Sequence, residues 1–510
     1  MKLKNTLYVL LLVALSSCGD FLEPKSQSEY VPKNANALQE LLIGEAYPKQ
    51  NVTSDRYILS YLELFNDDIQ RQELEGYDFN VNNQSTVLSR EALFSWQPDM
   101  FETARQQGFS TPNVWMGCYK YILGANAAID YLSEVDGTEA EKNYVRAQAL
   151  ALRAFNYYLL VNYYGAPYNY DRNALGVPLK LDSNMQSEND FLMTRNTVGE
   201  VYDRIVEDLT EAERLFQALP AGQQYRPDYL VSLPMIQLLK SRVYLYMENW
   251  AEAKKYAGKV IDDWSFNLLD LNTITAPNPT VSEPYHEFTS YQSPETIWLY
   301  GNISDFIDIY NAGIQLGESS DGERKAYIAS ESLISSFETG DLRKDLYITR
   351  EINTSTNQFY DTYLPFGKYK TAGSFPAPGV SFALSFRLSE AYLNFAEAAA
   401  LDNAESEAIS KLNTLLERRY AAGSFTPVPA LSGDALVNKI REERRKELCF
   451  EGQRWFDLRR YGMPSFSRTW NGKTYTLTEN DRSYTLPLMR AIIDRNNRLE
   501  QNPLAPKREN

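Results

Sequence analysis

The stretch VSLPMIQLLKSRVYLYMENWAEAKKYAGKVIDD, residues 231–263, reads as two helices joined by a tight turn. Apolar side chains recur every three or four residues through Ile236, Leu239 and Val243, and again through Ala253, Tyr256, Ala257 and Val260. That spacing places them on one face of each helix. Ser241 and Ala253 lie twelve residues apart, with Tyr244 between them. Small residues at this interval let two antiparallel helices approach closely, because no large side chain props the backbones apart.

Working outward, Ala396 and Ala408 repeat the interval within 385–419. The same periodicity covers 114–132, 141–164, 198–219 and 434–450, so eight long helices are expected. About four pairs follow: 114–164, 198–219 with a preceding helix, 231–263 and 385–419. The predicted fold is mainly α, a tetratricopeptide-like helical repeat scaffold. Residues 65–113, 265–384 and 461–510 are rich in Asn, Ser, Thr, Pro, Gly and aromatics, with few helical runs. They are expected as insertions and a C-terminal segment made of loops and a few short strands. Binding groups are expected on such loops, held by the rigid frame.

The N-terminus reads as an address. Lys2 and Lys4 precede an apolar run of nine residues, Leu7 to Leu15. Such a run rises about 14 Å as a helix, too short to span a bilayer but suited to a secretory signal. It ends in Leu15-Ser16-Ser17-Cys18, which resembles a bacterial lipobox. Residues 1–17 are thus expected to be removed and Cys18 lipidated, leaving 18–510 as a single domain. The remainder carries 49 Lys and Arg against 67 Asp and Glu, a net charge of −18. Such a surface repels phosphate backbones, so no nucleic-acid partner is expected. No later run reaches 18 apolar residues, so the lipid would be the membrane attachment. Cys118 and Cys449 sit on apolar helical faces and are expected as buried free thiols, with a disulfide between them as the alternative.

Chemistry of the usual catalytic kinds is not legible. His286 is the single histidine and has no metal-binding or nucleophile signature beside it. Neither a metal site nor a cofactor is expected. Gly472-Lys473-Thr474 looks like the tail of a phosphate-binding loop, but Ser467 stands where its first glycine must be. The acids and bases from Glu443 to Arg460 are read as a structural ion-pair network, with Glu442–Lys446 and Arg444–Glu447 pairing along one helix. No catalytic residue is assigned. A glycoside hydrolase is the enzymatic alternative, since it requires only two suitably spaced carboxylates.

Five stretches in order resemble the SusD/RagB family of outer-membrane nutrient-binding lipoproteins. They are Trp115 to Ile129 with its Ala125-Asn126 step, and Ala149 to Val161 running into Tyr164-Gly165-x-Pro167. Then come Arg387 to Ala398, Ile440 to Arg460, and a close on Leu486-Pro487-Leu488, Ile493-Asp494 and Gln501-Asn502-Pro503. The Ile440 to Arg460 stretch is the most specific of these. Asn496-Asn497 stands where members often carry Asn-Pro, and the usual Gly after Pro503 is missing.

The resemblance implies capture of a nutrient at the cell surface, above all an oligo- or polysaccharide. It also implies a lipid anchor in the outer membrane, facing the exterior, and a SusC-like TonB-dependent transporter as partner. A peptide-binding or protein-docking lipoprotein of the same architecture is the other alternative. Sugar binding calls for aromatic faces against C–H patches, with Asn, Asp, Gln or Arg around the hydroxyls. The residues that fit are Trp96, Tyr285, His286, Phe288 and Tyr291, with Asp67 and Asp68 of an early acidic motif. Trp96 and Tyr291 are expected on one solvent-facing surface. Trp298, inside a strand-like run, is expected in the core.

Overall fold

The computed structural model describes residues 32–48, 60–74, 87–109, 113–187, 192–275, 288–302, 313–315, 323–353, 356, 358–365, 368 and 382–508. Among them are nine helices of eleven residues or more: α1 Ala35–Glu45, α2 Val114–Asp130, α3 Glu139–Tyr164, α4 Val198–Gln217, α5 Leu233–Tyr246, α6 Trp250–Asp262, α7 Leu388–Leu401, α8 Glu405–Leu416 and α9 Gly433–Leu448. All eight helices expected from periodicity are present, within a few residues at each end. Thr138 with Glu141 opens α3, and Thr197 with Glu200 opens α4, each a reciprocal capping box.

Each helix leans on the next. Helix α2 packs on α3, α3 on α4, α4 on α5, α5 on α6, α6 on α7, and α7 on both α8 and α9. The fold is mainly α and tetratricopeptide-like, a stack of antiparallel helices. The twelve-residue interval does the work assigned to it. Ser241 and Ala253 are fully buried, and the Ser241 hydroxyl donates to the Ala253 carbonyl at 3.0 Å. Ala396 and Ala408 are likewise fully buried between α7 and α8. One apolar cluster runs from Leu38 to Leu499, and a second joins α7, α8 and α9.

Two helical boundaries differ from the expectation. Residues 385–387 belong to a strand, because the extended Arg387 (φ −141°, ψ 157°) continues a ladder before α7 begins. No helix occurs among the described residues between α3 and α4, so the helix preceding α4 that packs on it is α3 itself.

Among the described residues the irregular segments hold ten short strands in five antiparallel ribbons: β1 Ile69–Arg71 with β5 Tyr327–Ala329, β2 Thr296–Asn302 with β8 Phe382–Arg387, β3 Gly313–Gln315 with β4 Glu323–Lys325, β6 Thr349–Asn353 with β7 Gln358–Leu364, and β9 Phe466–Trp470 with β10 Lys473–Leu477. The β1–β5 ribbon pairs Ile69 with Ala329 and so ties the first insertion to the second. Asn471 and Gly472, both at positive φ (52° and 73°), form the two-residue turn of the β9–β10 hairpin. Gly472-Lys473-Thr474 is therefore a hairpin corner. Trp298 lies in the core as expected, stacked on Tyr300 at 4.8 Å with its indole N–H donating to the Tyr229 carbonyl at 2.8 Å.

Cys118 and Cys449 are buried free thiols. Burial pushes the Cys449 thiol up to about 12, which keeps it protonated and unreactive. No helix among the described residues is long and apolar enough to cross a membrane.

Candidate functional site

The two insertions and the last hairpin meet around an open cleft of about 950 Å³. Asp67 and Ile69 to Leu74 form one side, Arg324 with Tyr360 to Thr362 another, and Phe466 to Thr469 a third. Arg445, near the end of α9, closes it from the helical side.

The first side is a loop held by arginines. The Asp67 carboxylate accepts both Nε and Nη2 of Arg454, at 2.7 and 2.8 Å. Its backbone carbonyl accepts from Arg445 Nη2 at 2.8 Å and from the Ser330 hydroxyl at 2.6 Å. Burial alone would raise the Asp67 carboxyl, but the Arg454 guanidinium outweighs that and holds it well below the usual range. Asp68 is fully buried and accepts from Arg445 Nε at 2.6 Å. There burial outweighs the arginine and the Asp68 carboxyl rises. Further in, Glu63 accepts from Asn66 Nδ2 at 2.6 Å and from the Gly452 amide at 2.9 Å. Burial, aided by the charge of Asp68, pushes Glu63 up to about 8.

The opposite side is built by β4 and the β6–β7 hairpin. Along β7 the side chains alternate, so Tyr360 and Thr362 share one face. The Arg324 guanidinium lies 3.6 Å from the centre of the Tyr360 ring. Its Nε donates to Glu351 at 2.9 Å, and the Thr362 hydroxyl donates to the same carboxylate at 2.6 Å. The Lys325 amide adds a third hydrogen bond at 2.7 Å, and Asn353 Nδ2 donates to the Tyr360 hydroxyl at 3.0 Å. A cation spread over one face of the ring, and a hydroxyl bonded at its rim, fix Tyr360 in place. Glu73, on the near rim, accepts from Arg71 at 2.5 Å and from the hairpin amides of Asn471 and Gly472 at 2.7 and 3.1 Å. The cleft therefore offers an aromatic ring and oriented polar groups that are set before any ligand arrives.

Residues 20–245 match a SusD-like family model described as starch-binding and associating with the outer membrane, and residues 381–504 match the model of the SusD family. The chain belongs to the SusD/RagB family. It is similar to SusD-like protein P2 of Formosa agariphila, 27% identical over an alignment of 419 positions that covers 76% of this chain and 79% of that protein. SusD-like protein P25 of the same organism is 22% identical over an alignment of 528 positions, gaps included, covering 91% and 90%. A putative sugar binding protein from Bacteroides vulgatus has the same fold, with a TM-score of 0.68 at 22% identity over 93% of this chain and 99% of that one. A SusD-like carbohydrate binding protein from the same species gives a TM-score of 0.64 at 20% identity, covering 92% and 97%.

Within this SusD/RagB chain the expected site residues scatter. Asp67 lines the cleft, with its side chain 20% exposed. Asp68 does not, because its carboxylate is turned inward to Arg445. Trp96 is the main correction: it is fully buried, so the solvent-facing surface expected of Trp96 and Tyr291 does not form. Its indole N–H donates to the Phe65 carbonyl at 2.9 Å, Phe466 meets it edge-on at 5.2 Å, and the Arg468 guanidinium lies over it at 3.9 Å. A φ of 53° ends the short helix Glu91–Phe94 at this residue and swings the ring inward. For a side chain this bulky that conformation is strained, and burial of the ring sustains it. Tyr291 and Phe288 are half-buried, packed edge-on against Phe382 at 6.3 Å and Tyr347 at 5.1 Å, outside the cleft lining. Tyr285, His286 and Cys18 lie outside the described residues.

The Glu443 to Arg460 stretch is an ion-pair network inside the protein. Glu442 and Lys446 pair at 3.3 Å along the helix as expected, but Arg444 does not pair with Glu447. Arg444 instead reaches Asp457 at 2.8 Å, while Glu447 takes Arg387 at 2.5 Å and Arg419 at 2.9 Å. Sequence reading missed Arg324, Glu351, Tyr360 and Thr362. The sequence does not mark them: Gln358-Phe359-Tyr360-Asp361-Thr362-Tyr363 sets two aromatics and then two polar residues side by side, without alternation, and Arg324 and Glu351 come from other strands.

Proposed function

We propose that this chain binds an oligo- or polysaccharide at the cell surface, in the cleft between Asp67 and Tyr360, and hands it to a SusC-like TonB-dependent transporter. The observation that carries the reading is the Tyr360 ring, locked by Arg324 and Asn353 at the edge of an open cleft of about 950 Å³. A sugar ring lays its C–H face on such a ring, and its hydroxyls pair with Asp67, Gln70 and Thr362 on the walls. Preorganisation lowers the ordering cost of binding. Family membership supports the reading, as do the starch-binding and sugar-binding descriptions of the matched family and solved relatives.

The carboxylates around the cleft support binding over hydrolysis. Asp67 is committed to Arg454, Glu73 to Arg71 and two backbone amides, and Glu351 to Arg324, Thr362 and a backbone amide, which leaves Asp361, its side chain 98% exposed and 4.0 Å from Arg350, as the one open carboxylate of the described lining. A glycosidase needs one carboxyl free to give up a proton and another free to attack or to activate water. On this reading Cys18 carries the lipid that anchors residues 18–510 as one unit on the outer membrane, facing out. Tyr285 and His286 stay as candidate ligand contacts, and Tyr291 and Phe288 are set aside from the cleft.

The test is titration calorimetry of the full chain against a panel of soluble glycans and, as a control, a peptide mixture. Tyr360→Ala is expected to weaken glycan binding by about 1–3 kcal/mol, the scale of a stacked aromatic anchor. Binding of peptides in place of glycans, or release of reducing ends during the titration, would overturn the reading.

A further inference from the structure

The charges that border the cleft differ in what they offer a ligand. Four arginines (Arg71, Arg324, Arg445 and Arg468) and three acids (Asp67, Glu73 and Asp361) belong to its described lining. A formal count would make it cationic and suggest an anionic ligand. Geometry reverses that. An arginine grips a carboxylate or sulfate by turning two adjacent N–H groups toward it. In three of these arginines the Nη2 group that both such edges share already meets two acceptors inside the protein. For Arg324 they are Glu351 at 2.8 Å and the Thr362 hydroxyl at 3.2 Å. For Arg445 they are the Asp67 carbonyl at 2.8 Å and the Ser332 hydroxyl at 3.0 Å. For Arg468 they are the carbonyls of Leu64 and Phe94, and its guanidinium lies buried between the Phe94 and Trp96 rings. The fourth, Arg71, is buried and gives Nη1 to Glu73. The side chains of Arg324 and Arg445 are 11% and 12% exposed, and those of Arg71 and Arg468 are buried.

The acids lie the other way round. Glu73 is bonded to its neighbours yet its side chain is 37% exposed, and Asp361 stands almost wholly in solvent. The Arg350 guanidinium, 4.0 Å from Asp361, is itself exposed, and an ion pair of that kind is weak and screened. A uronate or sulfate entering the cleft would give up hydration without gaining a counter-charge, and would meet the Asp361 carboxylate within a Debye length. A neutral sugar has no such demand. The Tyr360 ring takes its C–H face, and exposed hydroxyls, Ser332 on one wall and Ser467 and Thr469 on one face of β9, are at hand for its own.

We propose that the cleft selects uncharged saccharides, and that Asp361 is the residue that turns away those bearing uronate or sulfate groups. The inference rests on the reading of the cleft as the saccharide site. It adds the chemical class of the ligand: a neutral glycan, held by stacking and by hydroxyl hydrogen bonds and not by ion pairs.

The test is calorimetry of the full chain against neutral polymers (soluble starch, laminarin, xylan) and acidic ones (polygalacturonate, alginate, dextran sulfate), with Tyr360→Ala run beside the wild type to mark binding in the cleft. Tyr360-dependent affinity is expected to be at least about tenfold higher for a neutral polymer than for any acidic one. That affinity is expected to change less than about twofold between low salt and roughly 0.5 M NaCl, since no ion pair is formed. Asp361→Lys is expected to narrow the gap between neutral and acidic polymers at least about threefold, with an unchanged Tm because the side chain is exposed. An acidic polymer bound as tightly as a neutral one, and lost in Tyr360→Ala, overturns the inference and leaves the cleft reading standing. An unchanged gap in Asp361→Lys overturns the role given to Asp361. Affinity for every polymer that is indifferent to Tyr360→Ala overturns the cleft reading and the inference together.

Discussion

Glu447 and Glu351 are both buried carboxylates held by arginine, yet their surroundings send them to different ends. Glu447 receives Arg387 at 2.5 Å, Arg419 at 2.9 Å and Arg343 at 3.5 Å, and the far side of each guanidinium meets more protein. Arg343, for example, also takes Asp341 and Glu443, at 2.7 and 2.5 Å. Glu351 receives Arg324, whose other face lies on Tyr360 at the edge of the cleft. The first arrangement knits α9 to β8, the turn after α8 and the second insertion. The second aims a ring and its hydrogen-bonding neighbours at solvent. What separates a structural ion network from a binding surface here is not residue type but what lies beyond the arginine.

If that distinction is right, breaking the Glu447 network should be a folding event and nothing else. Glu447→Ala leaves buried guanidinium groups without their counter-charge and is expected to cost about 5 kcal/mol of stability or more, read as a large drop in Tm or as loss of folded protein. A mild melt shift in this variant would place the network among ordinary surface pairs. Trp96→Ala comes next. With its ring enclosed by Phe466, Arg468 and the Phe65 carbonyl, truncation is expected to cost about 3–5 kcal/mol, while glycan affinity of the folded fraction stays near wild type. A loss of affinity with an unchanged melt would return Trp96 to the binding surface.

Glu63 sharpens the comparison through pH. Its folded value, raised by burial and by Asp68 to about 8, stands above the ordinary 4.5 of an unfolded chain. The folded protein thus holds a proton that the unfolded chain releases between these values. Stability from this group is full below about pH 4.5 and is lost as pH rises through about 8. Urea denaturation at pH 6 and pH 9 is expected to differ by roughly 2–4 kcal/mol on this account, and Glu63→Gln should flatten that slope. A slope that survives the substitution would assign it to another group. The smallest effect belongs to the cleft: Arg324→Met is expected to cost about 1–2 kcal/mol of stability, because Thr362 and the Lys325 amide still serve Glu351. Glycan binding should weaken along with it as Tyr360 loses its support, and calorimetry beside a melt reads both.

The helical frame was legible because its cause is local. Apolar residues spaced for one face of a helix, and small residues such as Ser241 and Ala253 where helices touch, need no knowledge of the rest of the chain. The ion network was legible in kind but not in partners, since Glu447 finds Arg387, Arg419 and Arg343 on other elements while intrahelical spacing suggested Arg444. Asp67 could be read from its early acidic motif. Tyr360 could not, because its role depends on β7 pairing with β6 and on Arg324 arriving from another ribbon. Trp96 was misread for a related reason. A turn-rich segment without periodicity looks like surface, but the hairpin carrying Phe466 and Arg468, far along the chain, folds over it.

The most direct test of the central claim is a crystal structure of the full chain with a glycan that titrates against it. The account predicts a sugar ring in van der Waals contact with the free face of Tyr360 and hydrogen-bonded to Asp67 or Thr362 across the cleft. A glycan bound with the cleft empty, and with Tyr360 untouched, would contradict it.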